Sequence, residues 1–270
     1  MRRSSVKTLR SARKIIALCG KGGAGKTALT AMMAGAVTRQ APFARTLLID
    51  ADPAGGLAQA LGIEVHRTVG DVREEVIARA RKKDSALKKQ IANEIDYYIM
   101  ESLEERSKFS LLAMGRSEGA GCFCPVNTLL REAVESLAGN FDRIIIDGEA
   151  GIEQIMRQVM KSVDTLLVIS DLSARGLNTA KLIGNLVREK GVLSSPETLL
   201  IINRVVDGVG AKAALDIRGL VPDALIPEDP LVSERDSRSL PLIEMPPDSP
   251  SMKAVAELSR RLFFSREGNY

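Results

Sequence analysis

The sequence has few cysteines and no long apolar run, and both features narrow the class of protein. Three cysteines in 270 residues are too few, and odd in number, for the disulfide framework of a small secreted protein. No apolar run approaches the roughly 18 residues that span a bilayer, and no signal-type apolar region follows the basic start. With 45% hydrophobic and 27% charged residues, the composition predicts a globular, cytoplasmic protein.

Acidic residues are absent from the first 14 positions, which contain six basic ones. The whole chain has a net charge of +4, so residues 15–270 carry a net charge of −2. Short blocks of like charge are usually solvated. We therefore interpret residues 1–13 as a disordered basic tail, with a weak anion-binding arm as the alternative. Neither nucleic acid nor membrane is expected as a partner.

Six short apolar runs alternate with longer helical stretches. Near-continuous apolar strands are typical of a sheet buried on both faces, and their alternation with helices predicts right-handed crossovers. We predict a doubly wound α/β fold with a mainly parallel sheet and helices on both faces. It forms one domain over residues 14–264, and residues 265–270 follow as a tail. The predicted strands cover residues 14–19, 45–50, 109–114, 143–147, 165–170 and 198–203.

Glycine and proline are absent from residues 71–114. Within this stretch Leu87, Ile91, Ile95 and Tyr98 recur at helical spacing. The pattern predicts a helical insertion over about residues 71–107 that holds two charged amphipathic helices. Its outer side is either a surface for a partner or, more simply, the solvated face of a layer that covers the sheet.

A glycine-rich segment after the first predicted strand fits the phosphate-binding pattern G-x-x-x-x-G-K-[ST]. Glycines let the backbone approach phosphate oxygens, and the N-terminus of the following helix supplies further N–H donors. Lys26 is predicted to reach the β and γ phosphates, and the Thr27 hydroxyl to ligate Mg²⁺. The predicted nucleotide-binding segment comprises Gly20, Lys21, Gly22, Gly23, Ala24, Gly25, Lys26, Thr27 and Ala28.

Carboxylates stand at the ends of two predicted strands, on the same rim of the sheet. Asp147 has the position of a Walker B acid, whose charge holds the metal through water. Asp52 follows the strand at 45–50 and is predicted to act as the base or water-orienting acid in hydrolysis. The alternative for Asp50 and Asp52 is a simple turn ahead of Pro53.

A second lysine lies within the glycine-rich loop, at position 21. Lys21 cannot easily bend back onto the phosphates that its own loop holds, but it can reach a phosphate held by a facing subunit. The sequence therefore predicts a homodimer with ATP at its interface. Lys21, Lys26 and Asp52 are the predicted catalytic residues.

Five motifs are distributed along the chain: KGGAGKT, ADP after the second strand, DGEAGIE, INR at 202–204 and IPEDP at 226–230. Together they resemble the deviant Walker A ATPases related to MinD, ParA and nitrogenase iron protein. The resemblance covers residues 14–264 and implies a nucleotide sandwich dimer in which Lys21 acts across the interface, Asn203 recognises the adenine and Asp229 lies near the base. The absence of the guanine signature N-K-x-D favours ATP, with its product ADP, over GTP.

Two cysteines, Cys122 and Cys124, lie between a predicted strand and a helix. A disulfide within such an extended pair would be strained, so they are better metal ligands. A closed soft-metal site needs four donors. Besides this pair, the only thiol or imidazole donors in the chain are Cys19, which is expected in the core, and His66, which is expected at the surface. Two chains related by a two-fold axis would supply four thiolates, and inert thiols are the alternative.

The string MGRSEGAGCFCPVN around these cysteines resembles CooC-type ATPases, which assist nickel insertion into carbon monoxide dehydrogenase, while similar proteins serve acetyl-CoA synthase. It implies an ATP-hydrolysing metallochaperone that carries Ni²⁺ across a homodimer to a client nickel enzyme. Zn²⁺ fits the same thiolates.

Two other classes stay open. One is an electron-transfer ATPase with an iron–sulfur cluster bridged by the same cysteines, as in nitrogenase iron protein. The other is a positioning ATPase that binds membrane or DNA, with residues 254–270 as an amphipathic anchor. More simply, that segment is the last helix covering the sheet.

Overall fold

The computed structural model describes residues 13–80, 94–116, 124–149, 159–190, 197–216 and 218–264. Within these ranges, eight strands form one sheet. They are β1 (Lys14–Gly20), β2 (Thr46–Asp50), β3 (Leu103–Glu105), β4 (Ser110–Ala113), β5 (Arg143–Asp147), β6 (Thr165–Ser170), β7 (Glu197–Val205) and β8 (Ala224–Pro227). The six predicted strands are confirmed as β1, β2, β4, β5, β6 and β7, whereas β3 and β8 lie outside the predicted runs.

The sheet has the strand order β3-β4-β2-β5-β1-β6-β7-β8. All neighbouring pairs are parallel except β3 and β4, which are antiparallel at one edge. Strand β1 therefore lies inside the sheet, between β5 and β6. This arrangement confirms the predicted doubly wound, mainly parallel α/β fold.

Helices cover both faces of the sheet. One face packs against α3, α4 and α5, and the other packs against α1, α2 and α8. The helices of the described residues are α1 (Lys26–Gln40), α2 (Gly56–Leu61), α3 (Val69–Ala80), α4 (Cys124–Ala138), α5 (Ala174–Lys190), α6 (Gly208–Asp216), α7 (Pro230–Ser237) and α8 (Pro250–Phe264), with a 3₁₀ turn at Leu242–Glu244. Residues 94–101 are also helical.

Strand β1 shows why the apolar runs are nearly continuous. Ile15, Ala17 and Cys19 point into the core on one face. Ile16 and Leu18 point into the core on the other. Successive side chains of a strand face opposite sides, so a strand covered on both faces needs apolar residues at every position. The expected core position of Cys19 is confirmed, because its side chain is fully buried.

The last helix, α8, covers the sheet as the simpler interpretation expected. Met252, Val255 and Leu258 are buried in the core that α8 shares with α1. No helix in the described part of the chain is long and apolar enough to cross a membrane. The predicted tails fall almost entirely on residues 1–12 and 265–270, which lie outside the described residues.

Residues 71–107 hold more than the two predicted helices. They include most of α3 and the helical residues 94–101, but also the edge strand β3. Ile95 and Ile99 are buried in the core, and Arg67 joins the two helices by ion pairs to Glu75 (2.5 Å) and Glu101 (2.7 Å). These contacts favour the covering layer over a partner surface. The predicted positions Leu87 and Ile91 lie outside the described residues.

Candidate nucleotide-binding site

The predicted phosphate-binding loop connects β1 to the N-terminus of α1. Gly20 and Gly25 have φ angles of 140° and 90°. A Cβ at Gly20 would lie 2.1 Å from the carbonyl oxygen of Ile169, and a Cβ at Gly25 would lie 2.4 Å from Nδ2 of Asn203. Only glycine fits both positions. Because α1 begins directly after the loop, its first N–H groups, which have no partner within the helix, are adjacent to the loop.

Lys26 is the first residue of α1, and its side chain extends back into this loop. Its side chain is buried, and Nζ donates to the carbonyl oxygens of Gly20 (3.1 Å) and Lys21 (3.4 Å). The loop thus holds a positive charge at the place where the sequence predicts phosphates. Next to it, burial raises the pKa of the Cys19 thiol to about 12, although the charge of Lys26 acts in the opposite direction.

Two buried carboxylates lie side by side at the ends of β2 and β5. Asp50 and Asp147 are direct partners in the strand register. The hydroxyl of Thr27 bonds to the Asp147 side chain, and the hydroxyl of Thr30 donates to its Oδ1 (3.3 Å). The other oxygen, Oδ2, is buried and has no partner among the described residues.

Burial raises the pKa of both carboxyl groups. That of Asp147 rises to about 6, against the hydrogen bonds from Thr27 and Thr30 and the charge of Lys26. That of Asp50 rises to about 7 through burial and the neighbouring Asp147 carboxylate. A cation at this point would relieve their repulsion. An unpartnered carboxylate oxygen beside a threonine hydroxyl is an oxygen donor set of the kind that Mg²⁺ prefers, so these residues fit the ion.

Asp52 lies on the turn that connects β2 to α2. Its Oδ1 accepts from the amide of Ala54 (2.9 Å), and its own amide donates to Oδ1 of Asp50 (3.2 Å). The Asp52 side chain also lines the cavity formed by the phosphate loop. The turn contacts expected of Asp50 and Asp52 are therefore present, and they hold Asp52 at the cavity.

This cavity has a volume of about 400 Å³ and lies between the phosphate loop, the ends of β7 and β8, and α7. Asn203 is buried there, and its Nδ2 donates to the carbonyl oxygen of Ala24 (2.9 Å). Asp229 caps α7 by accepting from the amide of Leu231 (3.1 Å), and it also accepts from the Ser251 hydroxyl (2.7 Å). Both side chains line the cavity, and their contacts with adenine stay predictions.

The Asp229 carboxyl has a depressed pKa. Burial alone would raise it, but the hydrogen bonds from Ser251 and the Leu231 amide outweigh that effect and hold the pKa below its usual range. The Asp229 side chain is therefore a charged carboxylate at the N-terminus of α7.

Lys21 points away from its own loop's cavity. Its Nζ donates to Oγ of Ser173 (3.3 Å) and lies 3.7 Å from Oδ2 of Asp171. Ser173 Oγ in turn accepts from the amide of Gly176 in the first turn of α5 (3.1 Å). The side chain of Lys21 remains one-third exposed. Its action on a phosphate of a facing subunit stays a prediction.

The predicted metal ligands fall at the edge of the described chain. Cys122 and the side chain of Cys124 lie outside the described residues, although the backbone of Cys124 begins α4. Within the described ranges, no group of three or more His, Cys, Asp or Glu side chains could hold a metal ion. His66 lies at the surface as expected, with Nδ1 3.0 Å from Glu104.

Four residues at this rim escaped the sequence analysis. Thr30 could have been found, because it lies one helical turn after Thr27 and faces the same side. Asp171 and Ser173 come directly after β6, at the same rim as Asp147 at the end of β5, but their spacing gives no sign of a contact with Lys21. Arg204 adjoins Asn203 and donates to the phosphate loop, a contact that the letters INR do not reveal.

Comparison with known proteins gives the family. A family model described as an AAA domain, AAA_31, matches residues 12–191. An uncharacterised ATP-binding protein of Methanocaldococcus jannaschii is 34% identical over 255 residues, which cover 92% of this chain and 98% of that protein. The carbon monoxide dehydrogenase accessory protein CooC of Rhodospirillum rubrum is 32% identical over 186 residues, which cover 66% of this chain and 70% of CooC.

The fold also has a solved counterpart. The septum site-determining protein MinD from Pyrococcus horikoshii OT3, complexed with Mg-ADP, is similar with a TM-score of 0.64 and 22% identity, over 92% of this chain and 95% of that one. At this identity the likeness concerns the fold. The phosphate loop, the buried carboxylate at the end of β5 and the family match agree, and the chain is a P-loop ATPase of the AAA_31 family.

Proposed function

We propose that this ATPase is a metallochaperone that binds Ni²⁺ through Cys122 and Cys124 at a homodimer interface. Its client is a nickel enzyme, carbon monoxide dehydrogenase or the related acetyl-CoA synthase. The similarity to CooC, a carbon monoxide dehydrogenase accessory protein, supports this client. The C-x-C pair supports the cargo, because thiolates suit soft and borderline metals, and Zn²⁺ can occupy the same site.

In the nucleotide part of the proposal, ATP occupies the 400 Å³ cavity. Lys26 binds the β and γ phosphates, and Thr27 and Asp147 hold Mg²⁺, which neutralises phosphate charge when it is bound. Asp52 orients the attacking water from the turn after β2. Asp50 positions Asp52, since the Asp50 carboxylate accepts the Asp52 amide.

The position of Lys21 supports the proposed dimer. The ammonium group is held by Asp171 and Ser173 on the β6–α5 connection rather than by its own loop. An ion pair exposed in this way contributes only about 0–1 kcal/mol. Lys21 can therefore leave Asp171 for a phosphate of the facing subunit at little cost in free energy.

The contacts of the chain just before the cysteines support a coupling between nucleotide state and metal binding. The amide of Met114 donates to the carbonyl oxygen of Asp50 (2.9 Å). Two residues later, Nε of Arg116 donates to the carbonyl oxygen of Pro53 (3.2 Å), in the turn that carries Asp52. Residues 114–116, which precede the predicted metal ligands in the chain, thus contact the turn that carries Asp52. In this proposal, a change in that turn on hydrolysis is transmitted along the chain to the metal ligands.

Metal stoichiometry tests the proposal. We expect one Ni²⁺ per dimer in calorimetric titrations, with an affinity that differs between the ADP-bound and ATP-analogue-bound protein. Cys122→Ser and Cys124→Ser should each abolish tight binding, since each removes two of four ligands. Cys19→Ala is the matched control and should bind as the wild type does. One metal per monomer, with an affinity indifferent to nucleotide, would contradict the proposal.

A client assay tests the last step. Nickel-deficient carbon monoxide dehydrogenase should gain activity faster with the nickel-loaded protein and ATP than with equal free Ni²⁺. The Lys26→Ala variant, loaded with the same metal, should give no more than free Ni²⁺. Equal activation by both would show that ATP plays no part in delivery.

A positioning function like that of MinD is the competing candidate, favoured by the shared fold. Its sequence support was the apolar face of the C-terminal segment. That face is buried against α1 in the described residues of α8. Sedimentation with anionic liposomes or DNA in the presence of ATP separates the two functions, because only a positioning ATPase would be carried down.

A further inference from the structure

Strand β7 ends irregularly at the nucleotide cavity. Its register with β8 shifts between Ile202 and Val205. Within this irregularity Arg204 has a φ angle of 59°, in the left-handed region that favours glycine. A bulge at the end of a strand turns side chains in a new direction, and unfavourable backbone angles persist where the surrounding contacts require them.

The irregular end of β7 places two donors on successive carbonyl groups of the phosphate loop. Nδ2 of Asn203 donates to the carbonyl oxygen of Ala24 (2.9 Å). Nη1 of Arg204 donates to the carbonyl oxygen of Gly23 (3.2 Å). Each pair is about 180 residues apart in sequence, so the contacts come from the fold.

Two further loop carbonyls are held by Lys26. Its ammonium group donates hydrogen bonds to the carbonyl oxygens of Gly20 and Lys21. In contrast, no hydrogen bond within the described residues uses the amides of Gly22, Gly23 or Gly25. The carbonyl oxygens of Gly20, Lys21, Gly23 and Ala24 are therefore bound, and several loop amides are available.

This division matters because a phosphate needs N–H groups and is repelled by carbonyl oxygens. In a planar trans peptide the C=O and N–H groups point in opposite directions. Holding the Ala24 carbonyl therefore fixes the direction of the Gly25 amide. Holding the Gly23 carbonyl likewise fixes the peptide whose Ala24 amide closes the turn onto Lys21 (3.2 Å). The Ala24 amide is thus engaged within the loop, whereas the amides of Gly22, Gly23 and Gly25 are available to form an anion-binding concavity.

We propose that Arg204 is a positioning residue of the ATPase. Its guanidinium group holds the Gly23 carbonyl and keeps the loop in the form that binds phosphate, independently of the base. The left-handed backbone at Arg204 is what directs the side chain across the loop. This role concerns nucleotide binding and does not depend on metal delivery.

The test separates the guanidinium group from the backbone. Arg204→Gly removes the donor while relieving the unfavourable φ. Ser239→Gly is the matched control, since Ser239 (φ 52°) is the other non-glycine residue in the left-handed region within the described residues and does not line the cavity. Isothermal titration with ADP and with inorganic pyrophosphate, both with Mg²⁺, measures binding, and a thermal melt measures stability.

We expect Arg204→Gly to weaken ADP and pyrophosphate binding by the same factor, about five- to tenfold. Its Tm should match that of Ser239→Gly, whose binding stays unchanged. Arg204→Lys, which keeps a charged donor, should bind within about threefold of the wild type.

Three outcomes would overturn the role. Wild-type affinity in Arg204→Gly would show that the hydrogen bond to Gly23 does not contribute to phosphate binding. A loss for ADP but not for pyrophosphate would assign Arg204 to the nucleoside. A large fall in Tm absent from Ser239→Gly would assign Arg204 to folding.

Discussion

Two lysines of the phosphate-binding motif, Lys26 and Lys21, are held by different parts of the molecule. Lys26 is buried and held by the carbonyl oxygens of its own loop. Lys21 is partly exposed and held by Asp171 and Ser173, about 150 residues further along the chain. The first is fixed by local geometry, so its role belongs to the monomer. The second can exchange its partner, which a contact between subunits requires.

The largest effect should come from the buried lysine. Lys26→Ala removes the charge that faces the β and γ phosphates, and we expect at least a hundredfold loss in ATP and ADP affinity, about 2.7 kcal/mol or more. Calorimetric titration of both nucleotides measures it. Near-normal ADP binding by the variant would break the distinction between the two lysines.

Asp52 lines the same cavity as Lys26, and its substitution separates nucleotide binding from hydrolysis. Asp52→Ala should bind ATP within about threefold of the wild type but hydrolyse it at least a hundredfold more slowly, because the attacking water is no longer oriented. Phosphate release under saturating ATP measures the rate. Full turnover would remove the role assigned to this carboxylate.

A substitution of Lys21 tests the predicted contact between subunits. Lys21→Ala should bind ADP as the wild type does and remain monomeric with a slowly hydrolysed ATP analogue, whereas the wild type forms dimers. Light scattering coupled to size exclusion gives the masses. Equal dimer fractions with and without the lysine would show that Lys21 acts only within its own subunit.

The smallest effect should come from the group that holds Lys21 in the monomer. Asp171→Asn removes the charge while keeping an oxygen to accept from Ser173, so we expect a dimer fraction with the ATP analogue that is about two- to threefold higher, as befits an exposed ion pair. Asp207→Asn is the matched control, because Asp207 also accepts backbone amides but lies away from Lys21. A lower dimer fraction would mean that Asp171 supports the interface instead.

Local pattern predicted most of this fold. Strand β1, the phosphate loop and Asp147 each have a signal within a few residues, namely apolar continuity, glycine spacing or a strand end. Strand β3 has none, because three residues that include two glutamates form a strand only where β4 offers an edge. Strand β8 is short and ends in Pro227.

The unpredicted part of the site consists of contacts between distant segments. Nothing in the spacing of Asn203 indicates that its amide meets the carbonyl oxygen of Ala24, 179 residues away. The same holds for Lys21 and Ser173, which are 152 residues apart. Sequence patterns identify residue types on one element, whereas these pairs depend on which strands become neighbours in the sheet.

The burial of α1 limits how the site can signal its nucleotide state. Most of this helix is enclosed, and at Gly35 a Cβ would lie 2.4 Å from the carbonyl oxygen of Ile243. We expect a helix packed so closely to stay in place when the γ phosphate leaves. Movement on hydrolysis should instead begin in the connections at the carboxyl ends of the strands, which carry Asp52, Lys21 with its partners, and the segment before Cys122.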